Sequence, residues 1–311
     1  MKISVIIPNY NAAQWLEKTI RSCIDQGEQY LKEIIVVDDH STDNSWTLLQ
    51  NLQARYPQLY ISRNPNKGAN RARNYGFSLA TGDYIQWLDA DDQLLPGKFE
   101  AQLRTFAENP DTDLVFSDWY MDHYHAEEPV SRTAVKKHAF PDFLEALLRD
   151  NWSVPCNYLL RRSLAQELHI QEAWYPSRTI NQDREYFTFA GILRAKARYV
   201  PGFFCIYNRW GAATKKQVTP TFTKQKDLQA VLLRVQKAIN EEAAFSGEQL
   251  AIYNQIINAQ LLTLFAQNKQ LAPPLKIGFW EIDWAKAGRL PMRFGLKIRA
   301  QLFLAYLRQR R

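Results

Sequence analysis

Two runs of β-branched and aliphatic residues, Ile3–Ile7 and Ile34–Val37, constrain this chain more than any other feature. Neither run alternates with polar residues, so each strand must bury both faces. A sheet flanked by helices on either side does that, and parallel strands joined by crossover helices build one. The intervening segments fit. Asn11-Ala12-Ala13-Gln14 has the form of a capping box and opens a helix to about Cys23 or Ile24. Trp46, Leu49 and Leu52 after Ser41-Thr42-Asp43 give a second helix, Leu59–Ser62 a third strand, and the stretch after Asn66-Lys67-Gly68 a helix through Ala80. On that helix Ala69, Ala72, Gly76 and Ala80 present small residues to the sheet. Strand Tyr84–Leu88, a helix from about Gly97 to Ala107 and a strand at Asp113–Ser117 complete a βαβα order.

Ligands of such sheets bind outside the carboxyl ends of the strands. Here those ends carry Pro8-Asn9-Tyr10-Asn11, Asp38-Asp39 and Asp89-Ala90-Asp91-Asp92. Three carboxylates within four positions repel one another unless a cation or a set of donors sits among them. An acidic turn ahead of a helix is the plainer reading of such a run. The strand order gathers all three clusters on one crevice, and loops that only connect have no need of that acidity.

Beyond residue 120 the patterns are less regular. They predict a helix at Asp142–Arg149, a strand near Cys156–Leu160, a short helix at Ser163–Leu168, a helix starting near Asp183 and strands within Ala197–Tyr207. From Lys224, Leu228, Val231, Leu232, Val235 and Ile239 line one helix, and Leu250, Tyr253, Ile257, Leu261 and Leu264 a second, antiparallel after Ser246-Gly247. The boundaries read as a domain over 1–215, with halves 1–120 and 121–215, and a helical region over 216–311.

The net charge of +7 comes from the end of the chain. From Trp284 onward there are eight basic residues and no acidic one, which leaves the remainder at −1. That distribution excludes a nucleic-acid-binding body, whose basic residues would cluster on a folded face. The segment 286–311 suits either an anionic bilayer surface or packing on the body or a partner subunit. No apolar run approaches the ~20 residues that span a bilayer. Three widely spaced cysteines argue against a disulfide framework and for a reducing cytoplasmic compartment, with peripheral attachment to the membrane's inner face through the tail.

Four ordered segments resemble the family 2 glycosyltransferases: Ser4–Asn11, Ile35–Asp43, Asn66-Lys67-Gly68 with Ala72–Gly76, and Gly82–Asp92. The resemblance implies an α/β GT-A fold with a mixed, doubly wound sheet, and inverting transfer of a sugar from a nucleotide donor, typically UDP-linked, to a glycan, lipid-linked or other hydroxyl acceptor. It implies surface polysaccharide or glycoconjugate synthesis as the setting. Pro8, Asn9, Asp39, Arg73, Asp89 and Arg209 are then donor-binding residues, with Asp39 accepting from the base and Asp89 facing the ribose. Asp91 becomes the ligand of Mn²⁺ or Mg²⁺, and Asp183 the base. Asp183 lies in Asn181-Gln182-Asp183-Arg184-Glu185-Tyr186, with Gln where the family usually has Glu; Glu185 is the poorer candidate. His40 stands where Gly or Asn is frequent, and Tyr207-Asn208-Arg209-Trp210 matches the family's Tyr-Arg-x-His segment only in part. Asp92 reads equally as a helix cap or as support for its neighbours. Asp38 reads as a turn former and Arg71 as a weaker donor contact than Arg73. Trp152, Trp174 and Trp210 read as acceptor-site aromatics or as packing. A nucleotidyltransferase would want a Gly-rich basic loop after the first strand, where this chain has Pro8–Asn11. A non-catalytic sugar-nucleotide-binding protein is the other alternative.

Overall fold

The computed structural model describes residues 1–125, 128–210 and 221–268. The basic segment 286–311 lies outside the described residues. The chain divides into two units, Met1–Phe143 with Trp152–Val218, and Leu144–Asn151 with the residues from Thr219 onward. The sequence reading placed the whole of 1–215 together; the short insertion Leu144–Asn151 instead clusters with the C-terminal helices.

The first unit begins β1 (Ile3–Asn9), α1 (Ala13–Ile24), β2 (Leu31–Asp38), α2 (Ser45–Arg55), β3 (Leu59–Arg63), α3 (Ala69–Leu79), β4 (Tyr84–Trp87), β5 (Gln93–Leu94) and α4 (Lys98–Glu108). It continues with β6 (Leu114–His125), β7 (Glu128–Val135), the start of α5 (Phe143–Leu148), a 3-10 turn at Pro155–Asn157, β8 (Leu159–Arg161), α6 (Arg162–Ile170), α7 (Gln182–Ile192) and β9 (Ala197–Trp210). Among the described residues the nine strands form one sheet ordered β3-β2-β1-β4-β8-β6-β9-β5, with β7 hydrogen-bonded to β6 outside that path. β3, β2, β1 and β4 are parallel; β8 is antiparallel to both β4 and β6, and β9 is parallel to β6. The sheet is therefore mixed, as the resemblance implied.

The double burial expected of the apolar runs is complete. Ile3, Val5 and Ile7 join Leu16 and Ile20 of α1 in one core cluster. On the opposite face Gly76 of α3 packs so closely that a Cβ there would lie 2.6 Å from Ile6 Cγ2 and 3.2 Å from Val37 Cγ2. That approach is what the small residues of α3 permit. A buried polar node ties β1, β2 and the turn before β4 together. Glu33 Oε1 accepts from Ser4 Oγ at 2.6 Å and from the Thr81 N–H at 2.7 Å, and Ser4 Oγ accepts the Gly82 N–H at 2.8 Å.

Several local expectations change. The capping box at Asn11 does not form. Asn11 Oδ1 instead accepts the N–H groups of Thr42 and Asp43, at 2.7 and 3.2 Å, and it is Asp43 Oδ2 that accepts the Ala13 N–H at the start of α1, at 3.1 Å. The strand expected at Asp113–Ser117 runs on to His125 because β7 folds back along it, an exposed strand whose polar residues carry no apolar alternation. Cys156 lies in the 3-10 turn rather than in a strand, and Ala197–Trp210 is one continuous strand.

In the second unit, α8 (Thr221–Glu241) and α9 (Gly247–Gln267) bury the predicted stripes, including Val231, Val235 and Ile239 on α8 and Tyr253, Ile257 and Leu261 on α9. Ser246 and Gln249 form a capping box at the start of α9. Gln236 Nε2 donates to Asn254 and Asn258 across the pair, at 2.9 and 2.7 Å. No helix among the described residues is long and apolar enough to cross a membrane.

Candidate active site

The strand order reverses around β1, whose neighbours are β2 and β4, and a crevice opens at such a point. A cleft of about 810 Å³ lies there, lined among others by Pro8, Asn9, Asp39, Arg73, Asp89 and Asp91. Arg209 and Asp183 do not line it. Arg209 is exposed on β9, with Nη1 3.9 Å from Met121 Sδ.

The two acids ending β2 divide as their hydrogen bonds dictate. Asp38 is buried and closes a turn, accepting Asn9 Nδ2 at 2.8 Å and the Ser41 N–H at 3.2 Å. His40 follows with φ 63°, a left-handed conformation that Gly or Asn adopts at less cost. Asp39 faces the cleft, where Oδ1 accepts Asn64 Nδ2 at 2.7 Å and the Gly68 N–H at 2.8 Å. Gly68 has φ 136°, which a side chain would resist, so the glycine lets the start of α3 close over Asp39.

Arg73 leaves α3 almost fully buried. Its Nη2 donates to Asp89 Oδ1 at 2.7 Å, while Nη1 donates to Gln182 Oε1 at 2.8 Å and Asn70 Oδ1 at 3.1 Å. The guanidinium carbon lies 4.5 Å from the centroid of the Trp174 ring. Arg73 thus joins Asp89 to the first turn of α7, a link that neither motif reveals alone. Trp174 is 2% exposed and stacks on Tyr186 at 4.2 Å, so it is packing. Trp152 is exposed, and Arg71 likewise.

Asp91 and Asp92 are held by β9. Asn208 Nδ2 donates to the Asp91 carbonyl, and Trp210 Nε1 donates to Asp91 Oδ2 at 2.6 Å. Asp92 caps no helix, since α4 starts at Lys98 behind Gly97. It is wholly buried, and its Oδ1 accepts the Asn208 N–H at 3.0 Å. Burial, then the charges of Asp91 and Asp89, push the Asp92 carboxyl well above the ordinary carboxylate range.

Asp183 sits in the first turn of α7, after Asn181 at φ 51°. Burial raises its carboxyl above the ordinary range; the Arg184 N–H opposes this, the Asp89 charge adds to it, and the Arg73 charge opposes it. A raised carboxyl suits a group that must accept a proton. Glu185, two residues on, is fully buried and paired with Arg178, whose Nε and Nη2 donate at 2.7 and 3.2 Å. That pairing removes it from consideration as a base. Burial, then the charges of Asp92, Asp89, Asp183 and Asp91, push up the Tyr207 phenol, which lies in the field of the Asp89–Asp92 acids and Asp183 alike.

Among the described residues no three His, Cys, Asp or Glu side chains converge as a metal site. Asp91 lines the cleft as a hard oxygen donor beside Asp89, which Arg73 engages. That set suits Mg²⁺ or Mn²⁺ bound through few carboxylates and completed by substrate phosphates, and does not suit an all-protein cage.

Asn208, Gln182 and Asn64 are residues that sequence reasoning left without a role, and Trp210, read as an acceptor-site aromatic or as packing, instead donates to Asp91. Trp210 and Asn208 fall within the partly matched Tyr207–Trp210 segment, and Gln182 within the segment of the proposed base, so their positions carried a signal. Asn64 lay outside every motif.

Comparison with known proteins follows the same geometry. The chain is 40% identical over 120 residues to the uncharacterized glycosyltransferase YibD of Escherichia coli, a match covering 38% of this chain and 34% of that protein. It is 40% identical over 98 residues to the GalNAc(5)-diNAcBac-PP-undecaprenol beta-1,3-glucosyltransferase of Campylobacter jejuni, covering 31% of each. The chain thus spans about a third of the length of these curated relatives. S. aureus TarS in complex with UDP-GlcNAc superposes with a TM-score of 0.62 at 18% identity, over 90% of this chain and 77% of that one. The mannosyltransferase PcManGT from Pyrobaculum calidifontis, in complex with GDP-Man and Mn²⁺, gives 0.53 at 19% identity, over 97% and 80%. These likenesses establish a GT-A fold. The model of glycosyl transferase family 2 matches residues 4–171, more than half of the chain, including the segments that carry Pro8, Asp39, Arg73, Asp89 and Asp91, and the chain belongs to that family.

Proposed function

We propose that this protein is an inverting, metal-dependent glycosyltransferase that uses a nucleotide-sugar donor, most simply UDP-linked. Its acceptor would be a hydroxyl on a glycan or lipid-linked carrier, in surface polysaccharide or glycoconjugate synthesis. The observation that supports this reading is the link from Asp89 through Arg73 to Gln182, the residue before Asp183, at a cleft lined by Asp39, Asp89 and Asp91. TarS with UDP-GlcNAc and the Campylobacter enzyme for an undecaprenol-linked glycan support the donor and acceptor classes.

In this mechanism Asp39 accepts from a base N–H, because an ionised carboxylate is acceptor-only. Asp183 takes the acceptor hydroxyl proton as that oxygen attacks the anomeric carbon, and the bond to the diphosphate breaks with its electron pair leaving on the phosphate. A divalent ion held by Asp91 would neutralise charge on the leaving diphosphate. The displacement is single, so the anomeric configuration inverts.

Calorimetry against UDP-, GDP- and dTDP-sugars with Mn²⁺ tests the reading. Binding of one class by wild type, retained in Asp183→Asn while sugar transfer or donor hydrolysis is lost, is the expected result. Absence of nucleotide binding refutes the donor site, and full turnover in Asp183→Asn refutes the base.

A further inference from the structure

We infer that Trp210 is a positioning residue for Asp91, fixing the carboxylate that takes the divalent cation of the metal–nucleotide complex. This inference rests on the glycosyl-transfer reading of the cleft. An indole donates one hydrogen bond and has no lone pair to offer a cation. Trp210 therefore acts on a metal only through the carboxylate that it holds.

The hold is well made. Trp210 Nε1 lies 2.6 Å from Asp91 Oδ2. The ring packs between Trp15 of α1 and Tyr124 of β6, with centroids 4.2 and 4.1 Å away. The second contact follows from register, because Tyr124 and Trp210 are paired across the parallel strands β6 and β9. Two residues earlier on β9, Asn208 donates to the Asp91 carbonyl. β9 thus fixes both the backbone and the side chain of Asp91. Trp210 and Trp15 also line the cleft, so this clamp belongs to the cleft wall. Donors that orient a ligating carboxylate typically contribute 10–100-fold to metal affinity.

Trp210→Phe keeps a ring between Trp15 and Tyr124 and deletes the N–H. The assay is Mn²⁺ binding by electron paramagnetic resonance, on full-length protein saturated with whichever of UDP, GDP, dTDP or CDP wild type binds best. Nucleotide affinity is measured in parallel in EDTA. We expect Mn²⁺ affinity to fall about tenfold with metal-free nucleotide affinity unchanged. Unchanged or tighter Mn²⁺ binding overturns the inference, the latter identifying the indole as a competitor of the cation. A parallel fall in metal-free nucleotide affinity also overturns it, because that marks a general loss of cleft structure. Should the Phe variant fail to fold, Trp210→Leu, which likewise carries no donor, gives the same test. Wild type showing no Mn²⁺-dependent nucleotide binding overturns the glycosyl-transfer reading, and this inference with it, before any substitution is made.

Discussion

Arg73→Met separates the roles of the arginine as a strut and as a charge. Methionine keeps an unbranched chain over Trp174 and deletes every guanidinium bond. The ion pair with Asp89 joins side chains 7% and 30% exposed. Stranding one partner of a fully buried pair costs about 3–5 kcal/mol; water reaching Asp89 lowers that to roughly 2 kcal/mol. The bonds to Gln182 and Asn70 add about 1 kcal/mol together once solvation is counted. A loss of about 3 kcal/mol lowers the melting temperature of a unit this size by on the order of 6–12 °C. The charge effect has its own sign. Arg73 lowers the Asp183 carboxyl, so its removal raises it further. A base works deprotonated, and the acidic limb of turnover therefore moves to higher pH. Thermal melts and a pH–rate profile of donor hydrolysis read the two effects separately. A melting temperature within about 1 °C of wild type, with the acidic limb unmoved, would refute the view that Arg73 couples Asp89 to α7.

Two further outcomes follow from packing and charge. Because the folded state raises the Asp183 carboxyl, its contribution to stability is present below the unfolded value of about 3.9 and is lost as pH rises through the folded value. Asp183→Asn should therefore melt above wild type at pH ~7, with the gain shrinking toward pH ~4; a lower melting temperature at neutral pH would contradict this. Gly82→Ala should destabilise by about 1–3 kcal/mol. A Cβ there meets the Ser4 backbone nitrogen at 2.6 Å and the Ile3 carbonyl carbon at 3.0 Å, and backbone cannot swing aside as a long side chain can. An unchanged urea midpoint would show that β1 gives way more easily than its hydrogen bonds suggest.

The parallel half of the sheet was legible because its constraints are local. Ile3–Ile7 and Ile34–Val37 announce double burial without reference to any other segment, and the strand order then places Asp39, Asp89 and Asp91 on one side. Gly76 and its small neighbours foretold the close approach of α3. β7 was not legible, because an exposed strand paired on one edge has no apolar alternation to display. The cap of α1 was misassigned for a related reason. Asn11 has the right residue type at the right place, yet Ser41, Thr42 and Asp43 fold beside it from another crossover and compete for the same groups.

The acids after β4 show the same division more sharply. Asp89, Asp91 and Asp92 were visible as a motif, while side chains that hold them come from other elements: Arg73 from α3, and Asn208 and Trp210 from the end of β9. A motif specifies which charges are brought together and says little about what restrains them. Restraint matters here because like charges at close range would otherwise turn apart. Asp92 meets the problem by burial with a raised carboxyl and Asp89 by pairing with a guanidinium, while Asp91 accepts an indole N–H. An indole N–H orients a carboxylate without itself adding charge, which suits the acid proposed to hold a cation. Sequence alone could nominate Asp91. The different partners of its neighbours are what distinguish it from them.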